Sequence, residues 1–203
     1  MRTSGEPPAS ADPAALASGG HPRTGRRDEP RVPHRWHVVK TGRTPVRDRA
    51  ARRAERRTGP ADERDAVRWV ASQDCGWRDG DRLSFAVLEA ADVGGCVLGG
   101  SVGLKNREET GRIGERETAE IGYWTAVAAR GRGVAPAAVR AVTDWVFDAF
   151  AGASVRQIML VHDVDNPASC RVAERAGYPF RELSPANPPH WFTDGHIHMR
   201  LGG

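Results

Sequence analysis

The chain has 203 residues, 39% of them hydrophobic and 28% charged, with a formal net charge of +4. That is enough for one domain with an appendage. No stretch approaches the roughly 18 consecutive apolar residues of a spanning helix, and the N-terminus lacks the apolar core of a signal peptide. A membrane protein is excluded on this reading, and the cytoplasm is the expected address. Cys75, Cys96 and Cys170 are odd in number and widely spaced; they fit neither a disulfide framework nor a zinc pattern and are expected to be reduced.

The modest net charge hides an asymmetry. Residues 1–60 hold 14 basic and 6 acidic side chains, whereas 61–203 hold 16 and 20. The first tract also has 8 of the 14 prolines, and its large apolar side chains are only Met1, Leu16, Val32, Trp36, Val38, Val39 and Val46. These are too few to offset ordering costs of roughly 1–2 kcal/mol per residue. Residues 1–60 therefore read as a basic, Pro/Arg-rich, largely disordered or degenerate segment, with 1–30 disordered. Within it, 36–39 could form a short strand, and 47–57 is best read as a charged, frayed helix. An arginine-rich arm could contact nucleic-acid phosphates or an acidic surface, but with almost no interleaved aromatics the pattern does not favour specific nucleic-acid binding.

From residue 61 the pattern is that of a packed domain. Asp62 suits an N-cap, and Ala66, Val67, Val70 and Ala71 predict a helical stripe over 62–74 ending near Gly76. Strands are predicted at 84–89 and 96–104, joined by a turn at Asp92-Val93-Gly94-Gly95, and a third at 119–126 after a polar loop at 105–117. These three should run antiparallel. A helix follows with apolar residues at Val139, Val142, Val146 and Phe150, then a strand at 157–161, a short helix at 169–175 closed by Gly177, and strands near 180–183 and 195–201.

Between the third strand and the long helix lies Ala129-Arg130-Gly131-Arg132-Gly133-Val134-Ala135-Pro136. Glycines allow a sharp turn there, and the first free N–H groups of a helix favour an anion. Arg130 and Arg132 add positive charge, while Pro136 near the helix start loses no useful donor. The loop is neither a P-loop, lacking Gly-Lys-Ser/Thr, nor a dinucleotide fingerprint, having Pro136 at the third glycine position. Alone, it leaves open a phosphate cradle or a plain strand-to-helix turn. Asn166, likewise, reads first as a helix cap.

Taken in order, Glu120-Ile121-Gly122-Tyr123-Trp124, the loop Arg130 to Ala135 and the segment from Asn166 to Tyr178 resemble the GNAT superfamily of acyl-CoA-dependent N-acetyltransferases, nearest its RimJ/RimL-type branch. The resemblance covers about 62–201. It implies an α/β (α+β) fold with a mixed, mostly antiparallel sheet, flanking helices and a splayed acetyl-CoA cleft. It further implies a pyrophosphate on the backbone of Arg130, Gly131, Arg132, Gly133, Val134 and Ala135, pantetheine pairing like an added strand with Ala126, Val127 and Ala128, and Asn166 reaching the pantetheine arm in place of its capping role. Of the leading strand and two helices usual in the family, only the second helix is recognisable.

The implied chemistry is direct attack of a neutral amine on the thioester, which needs a proton acceptor and stabilisation of oxyanion and thiolate. Glu120, on the cleft-lining strand, is the candidate base; its other reading is a solvated or salt-bridged strand residue. Many members use a tyrosine on the helix after the fifth strand, but that helix has none and Tyr178 lies past Gly177. The resemblance implies Ser169 as donor to the leaving sulfur, the plain alternative being a helix-start serine. No base is spaced to activate Cys170 as a nucleophile. His196 and His198 share a strand face with His190 near, but without a third firm ligand they do not make a zinc site, and no metal is expected. His162 and Asp163 follow the fifth strand near the cleft, where a surface turn is the first reading and substrate contact the second. The expected partner is an amine acceptor, a protein N-terminus or a small molecule; a non-catalytic acyl-CoA-binding protein or a basic nucleic-acid-binding arm is the alternative.

Overall fold

The structure, a computed structural model, describes residues 36–41, 63–90, 95–106, 112–115, 117–151, 154–188 and 192–203. The chain runs β1 (Trp36–Lys40), α1 (Glu63–Asp79), β2 (Arg82–Ala90), β3 (Cys96–Asn106), β4 (Thr118–Thr125), a 3-10 turn (Val127–Ala129), α2 (Val134–Ala149), β5 (Gln157–Asp163), α3 (Pro167–Ala176), β6 (Phe180–Ser184) and β7 (Gly195–Leu201). The strands form one sheet in the order β1-β2-β3-β4-β5-β7-β6. Every neighbouring pair is antiparallel except β4 with β5. The expectations for 1–30 and 47–57, the Asp62 cap, the side chain of Ala66, the turn at Asp92, Val93 and Gly94, part of the 105–117 loop, and His190 fall outside the described residues.

Period-two alternation puts Phe85 and Val87 of β2, Val102 and Leu104 of β3, Ala119 and Ile121 of β4, and Ile158 and Leu160 of β5 into one core. Helix α2 covers it through Val139, Val142 and Val146, each 0% exposed. A fully buried valine contributes about 1.5–3 kcal/mol, so this i, i+3, i+7 stripe holds α2 in place. Phe150, the fourth residue of the predicted stripe, sits just past the helix and meets the Trp145 ring edge-on at 6.4 Å. The opposite sheet face carries a smaller cluster of Ala86, Leu88 and Leu98, joined by Val39 and Trp124.

The leading strand, unrecognised as such in the sequence, is present as β1. It pairs with β2 from Trp36↔Glu89 to Lys40↔Phe85 and buries Trp36 and Val38. Trp36 lies so close over Gly99 that a Cβ there would come within 2.3 Å of the indole. Two apolar anchors in an arginine-rich tract are a weak signal until β2 supplies their partner.

Helix α1 buries a different face from the one its apolar residues suggest. Val67 is 64% exposed and Ala71 is exposed, while Gln73 and Gly76 are buried. The Trp77 indole decides the roll: it donates to the Ser84 carbonyl at 3.0 Å and meets Phe85 at 5.1 Å and Trp145 at 6.1 Å. The helix also runs through Gly76, whose added Cβ would lie 2.9 Å from Arg82 Cβ. That glycine serves close packing, and the left-handed Gly80 (φ +77°) ends the helix instead.

Candidate active site

Strands β4 and β5 stay paired for three rungs only, Thr118↔Gln157, Ala119↔Ile158 and Glu120↔Met159. Beyond them β4 continues to Thr125 and β5 to Asp163, and β5 is held along its whole length by β7. The strands thus part at Glu120. From Ile121 onward one edge of β4 faces an opening in place of a strand, and backbone groups at such an edge need other partners.

At the mouth of this opening the chain makes the turn from Arg130 to Gly133 and enters α2. Gly131 (φ +73°) and Gly133 (φ +75°) are left-handed, a conformation costing roughly 1–2 kcal/mol for other residues, and open space surrounds both. Gly133 is the N-cap of α2 and has no side chain to satisfy the first-turn N–H groups of Val134 and Ala135. The loop thus leads into a helix start without a side-chain cap, with room beside both glycines. Its arginines are arranged differently from expectation. Arg132 forms a two-bond ion pair with Glu89 and lies over the Trp36 ring at 5.0 Å, which turns it toward β1 and β2. Arg130 donates to the Thr125 carbonyl at 3.3 Å.

The residues expected to pair like an added strand, Ala126, Val127 and Ala128, come just after the end of β4 at Thr125. Ala126 N–H bonds Gly99 O at 2.9 Å, and Val127–Ala129 then curl into a 3-10 turn closed by Ala129 N–H to Ala126 O at 2.9 Å. The edge of β4 that β5 leaves lies just before them, beyond Glu120.

Glu120 sits at the apex of the opening on the sheet face opposite Ala119 and Ile121. Its carboxylate is 3.6 Å from Lys105 Nζ, its cross-strand partner on β3, and its side chain is 17% exposed. The next pair along that face is Gly103↔Gly122, and a Cβ at Gly122 would meet nothing within 4 Å. The salt-bridged reading of Glu120 is therefore realised, beside a floor of two glycines.

On the other side of the opening stands the start of α3. Asn166 does cap it, its Oδ1 accepting from Ser169 N–H at 3.2 Å. The cap uses only the oxygen, so the amide Nδ2 can still donate to a ligand. The buried Ser169 hydroxyl accepts a hydrogen bond of 2.9 Å from Tyr123, which reaches across from β4. Burial pushes the Tyr123 phenol above its ordinary value, with the Ser169 hydrogen bond acting in the opposite sense. Tyr178 lies away from this site, 0% exposed in the core, sharing a hydrogen bond with Thr143.

Sequence reasoning missed Tyr123, although it lies three residues from Glu120 in opposite strand phase, the one available signal. It also found no base near Cys170, whereas the fold brings His196 Nδ1 to 3.2 Å from Cys170 Sγ. Asp163 accepts from Thr193 at 2.6 Å and from Asp165 N–H at 3.0 Å, which hold its carboxyl below the ordinary range. The surface turn expected at His162 and Asp163 is instead the end of β5, paired with β7 through His162↔His196 and Asp163↔Gly195, and His162 is buried.

The family model for the acetyltransferase (GNAT) domain matches residues 38–179, from β1 through the end of α3. The chain belongs to the GNAT family of acetyltransferases. Three solved structures illustrate the likeness of fold. A spermidine N-acetyltransferase from Vibrio cholerae, in complex with CoA and spermine, is 17% identical with a TM-score of 0.63 over 83% of this chain and 96% of that one. A ribosomal-protein-serine acetyltransferase described from the same organism is 18% identical with a TM-score of 0.62 over 84% and 95%. RimJ from Mycobacterium smegmatis, in complex with CoA-disulfide, is 21% identical with a TM-score of 0.57 over 81% and 85%. No curated protein matches the sequence. Among the described residues, no helix is long and apolar enough to cross a membrane.

Proposed function

We propose that the protein moves the acetyl group of acetyl-CoA to a primary amine, on a protein N-terminus or a small molecule, by direct attack in the cytoplasm. The observation that carries this reading is the parting of β4 from β5 at Glu120, with a glycine turn and a bare helix start at the mouth. The edge of β4 beyond Glu120, with the backbone of Ala126, Val127 and Ala128 after it, would bond the pantetheine amides, the backbone of Arg130 to Ala135 would take the pyrophosphate, and Asn166 Nδ2 would hold the pantetheine arm. The fit is supported by the open space at Gly131 and Gly133.

The two sheet faces divide the chemistry. The amine approaches over the glycine floor at Gly103 and Gly122 toward Glu120, which accepts its proton as nitrogen bonds to the thioester carbon. On the other side, Ser169 donates to the departing sulfur as the carbon–sulfur bond breaks. Because Tyr123 already donates to Ser169, the serine proton is free to point at the sulfur, and the two hydroxyls polarise one another. The motif of 166–178 leans toward the RimJ/RimL-type branch and so toward a protein N-terminus as acceptor.

Calorimetry with acetyl-CoA and free CoA on the full chain, followed by thiol release with candidate amines, tests this. Saturable binding and amine-dependent thiol release are expected. A folded chain that binds neither form of CoA would overturn the reading.

A further inference from the structure

Three histidines and a cysteine from separate parts of the sequence meet between the sheet and α3. His162 lies near the end of β5, His196 and His198 lie on the same face of β7, and Cys170 lies on α3 one residue after Ser169. One ligand atom from each falls within 4.8 Å of all the others, and Cys170 Sγ is 3.2 Å from His196 Nδ1. The ring centroids of His162 are 5.2 Å from those of His198 and 5.4 Å from those of His196. Two imidazoles on one tetrahedral zinc, with metal–nitrogen bonds near 2 Å, have centroids about 5 Å apart.

The outer hydrogen bonds point the same way. His162 Nδ1 is 2.8 Å from the Asp163 carbonyl, and His198 Nδ1 is 3.1 Å from the Tyr178 carbonyl. A carbonyl only accepts, so both rings carry their proton on Nδ1 and present a bare lone pair at Nε2. This is how metal-ligating histidines are oriented and their tautomer fixed. Both Nε2 atoms are buried and without a hydrogen-bond partner, in residues only 8% and 1% exposed. A buried polar atom left in this state costs about 1–3 kcal/mol, and two in one cluster call for a shared partner. Thiolate and imidazole together suit zinc and disfavour magnesium or calcium. The third firm ligand that the β7 histidines lack in sequence is supplied by β5, and a fourth by α3.

We propose that His162, Cys170, His196 and His198 form a four-ligand zinc site that ties the start of α3 to β5 and β7. Four protein ligands close the coordination sphere, so the metal is structural, binding as the Cys170 thiol releases its proton to solvent. By fixing the turn that carries Asn166 and Ser169, it would also set one wall of the opening. The site stands independently of the acetyl-transfer reading.

The test uses the full chain, stripped with a chelator and titrated with cobalt(II) as a coloured stand-in, then with zinc. One cobalt per chain is expected, with a thiolate-to-cobalt charge-transfer band and the strong visible bands of tetrahedral coordination, displaced by one equivalent of zinc. Cys170→Ser should abolish the charge-transfer band, and His198→Ala should weaken binding more than about a hundredfold. Cys75→Ser and Cys96→Ser, which alter exposed thiols elsewhere, should change neither. Zinc should also protect Cys170 of the unaltered chain from alkylation, a reading that needs no variant to fold. Folded chain that binds no cobalt, a charge-transfer band that survives Cys170→Ser, or unprotected Cys170 would each overturn the site.

Discussion

The Tyr123 hydroxyl donates a 2.9 Å hydrogen bond to Ser169 Oγ, joining β4 to the first turn of α3 across the opening that separates β4 from β5. If this pair serves the leaving sulfur, Ser169→Ala should lower kcat by about 10²-fold or more and Tyr123→Phe by a smaller factor, both with acetyl-CoA affinity largely kept. The double variant should be little worse than Ser169→Ala alone, because residues acting as a unit are not additive. Steady-state kinetics with calorimetry checks this; fully additive losses would mean that the two hydroxyls act separately.

Glu120 is expected to matter through its charge. Glu120→Gln preserves shape but cannot accept a proton, and should reduce kcat by about 10²-fold. Binding of acetyl-CoA should survive. Unchanged turnover would return Glu120 to the role of ion-pair partner to Lys105.

The glycine floor gives a substrate-specific prediction. A Cβ at Gly122 meets nothing within 4 Å, so Gly122→Val should fold and leave acetyl-CoA binding intact while raising KM for the amine by about tenfold or more. A variant that weakened acetyl-CoA instead would place the acceptor elsewhere. Gly133→Ala should do the reverse: its φ of +75° makes the substitution cost about 1–2 kcal/mol, and the distorted helix start should weaken acetyl-CoA without altering the amine KM.

Both tyrosines of the chain are held protonated by burial, their hydrogen bonds opposing the shift. At pH 10 the folded protein should therefore show less than half of the phenolate absorbance that it gives in denaturant. The sign for stability follows: a group whose folded pKa is raised contributes fully below its unfolded value near 10 and loses that contribution as pH rises further. Alkaline melting curves should fall accordingly, and half-ionisation of the folded chain at pH 10 would contradict the burial of the two phenols.

Truncation tests the place of β1. A chain beginning at Ala61 would lose Trp36 and Val38 from the core and leave β2 as a bare edge. It should melt well below the full chain and tend to associate, since removal of one large buried aromatic alone costs about 3–5 kcal/mol. Equal melting temperatures would show that β1 contributes no stability.

Local signals in the sequence were enough for most of the domain. The α2 stripe, the left-handed glycines, the Asn166 cap and β7 over 195–201 each follow from spacing or side-chain chemistry within a few residues, and the ordered motifs from Glu120 to Tyr178 carried the family. What local signals could not supply was pairing. The strength of β1 depends on β2, the roll of α1 on where Phe85 and Trp145 stand, and the aim of Arg132 on Glu89, all remote in sequence. The meeting of Tyr123 with Ser169, and of Cys170 with three histidines, likewise exists only once β5 and β7 pair and α3 packs beside them. Side-chain periodicity fixes which face a residue takes within its own element, but only the closed sheet decides what stands opposite.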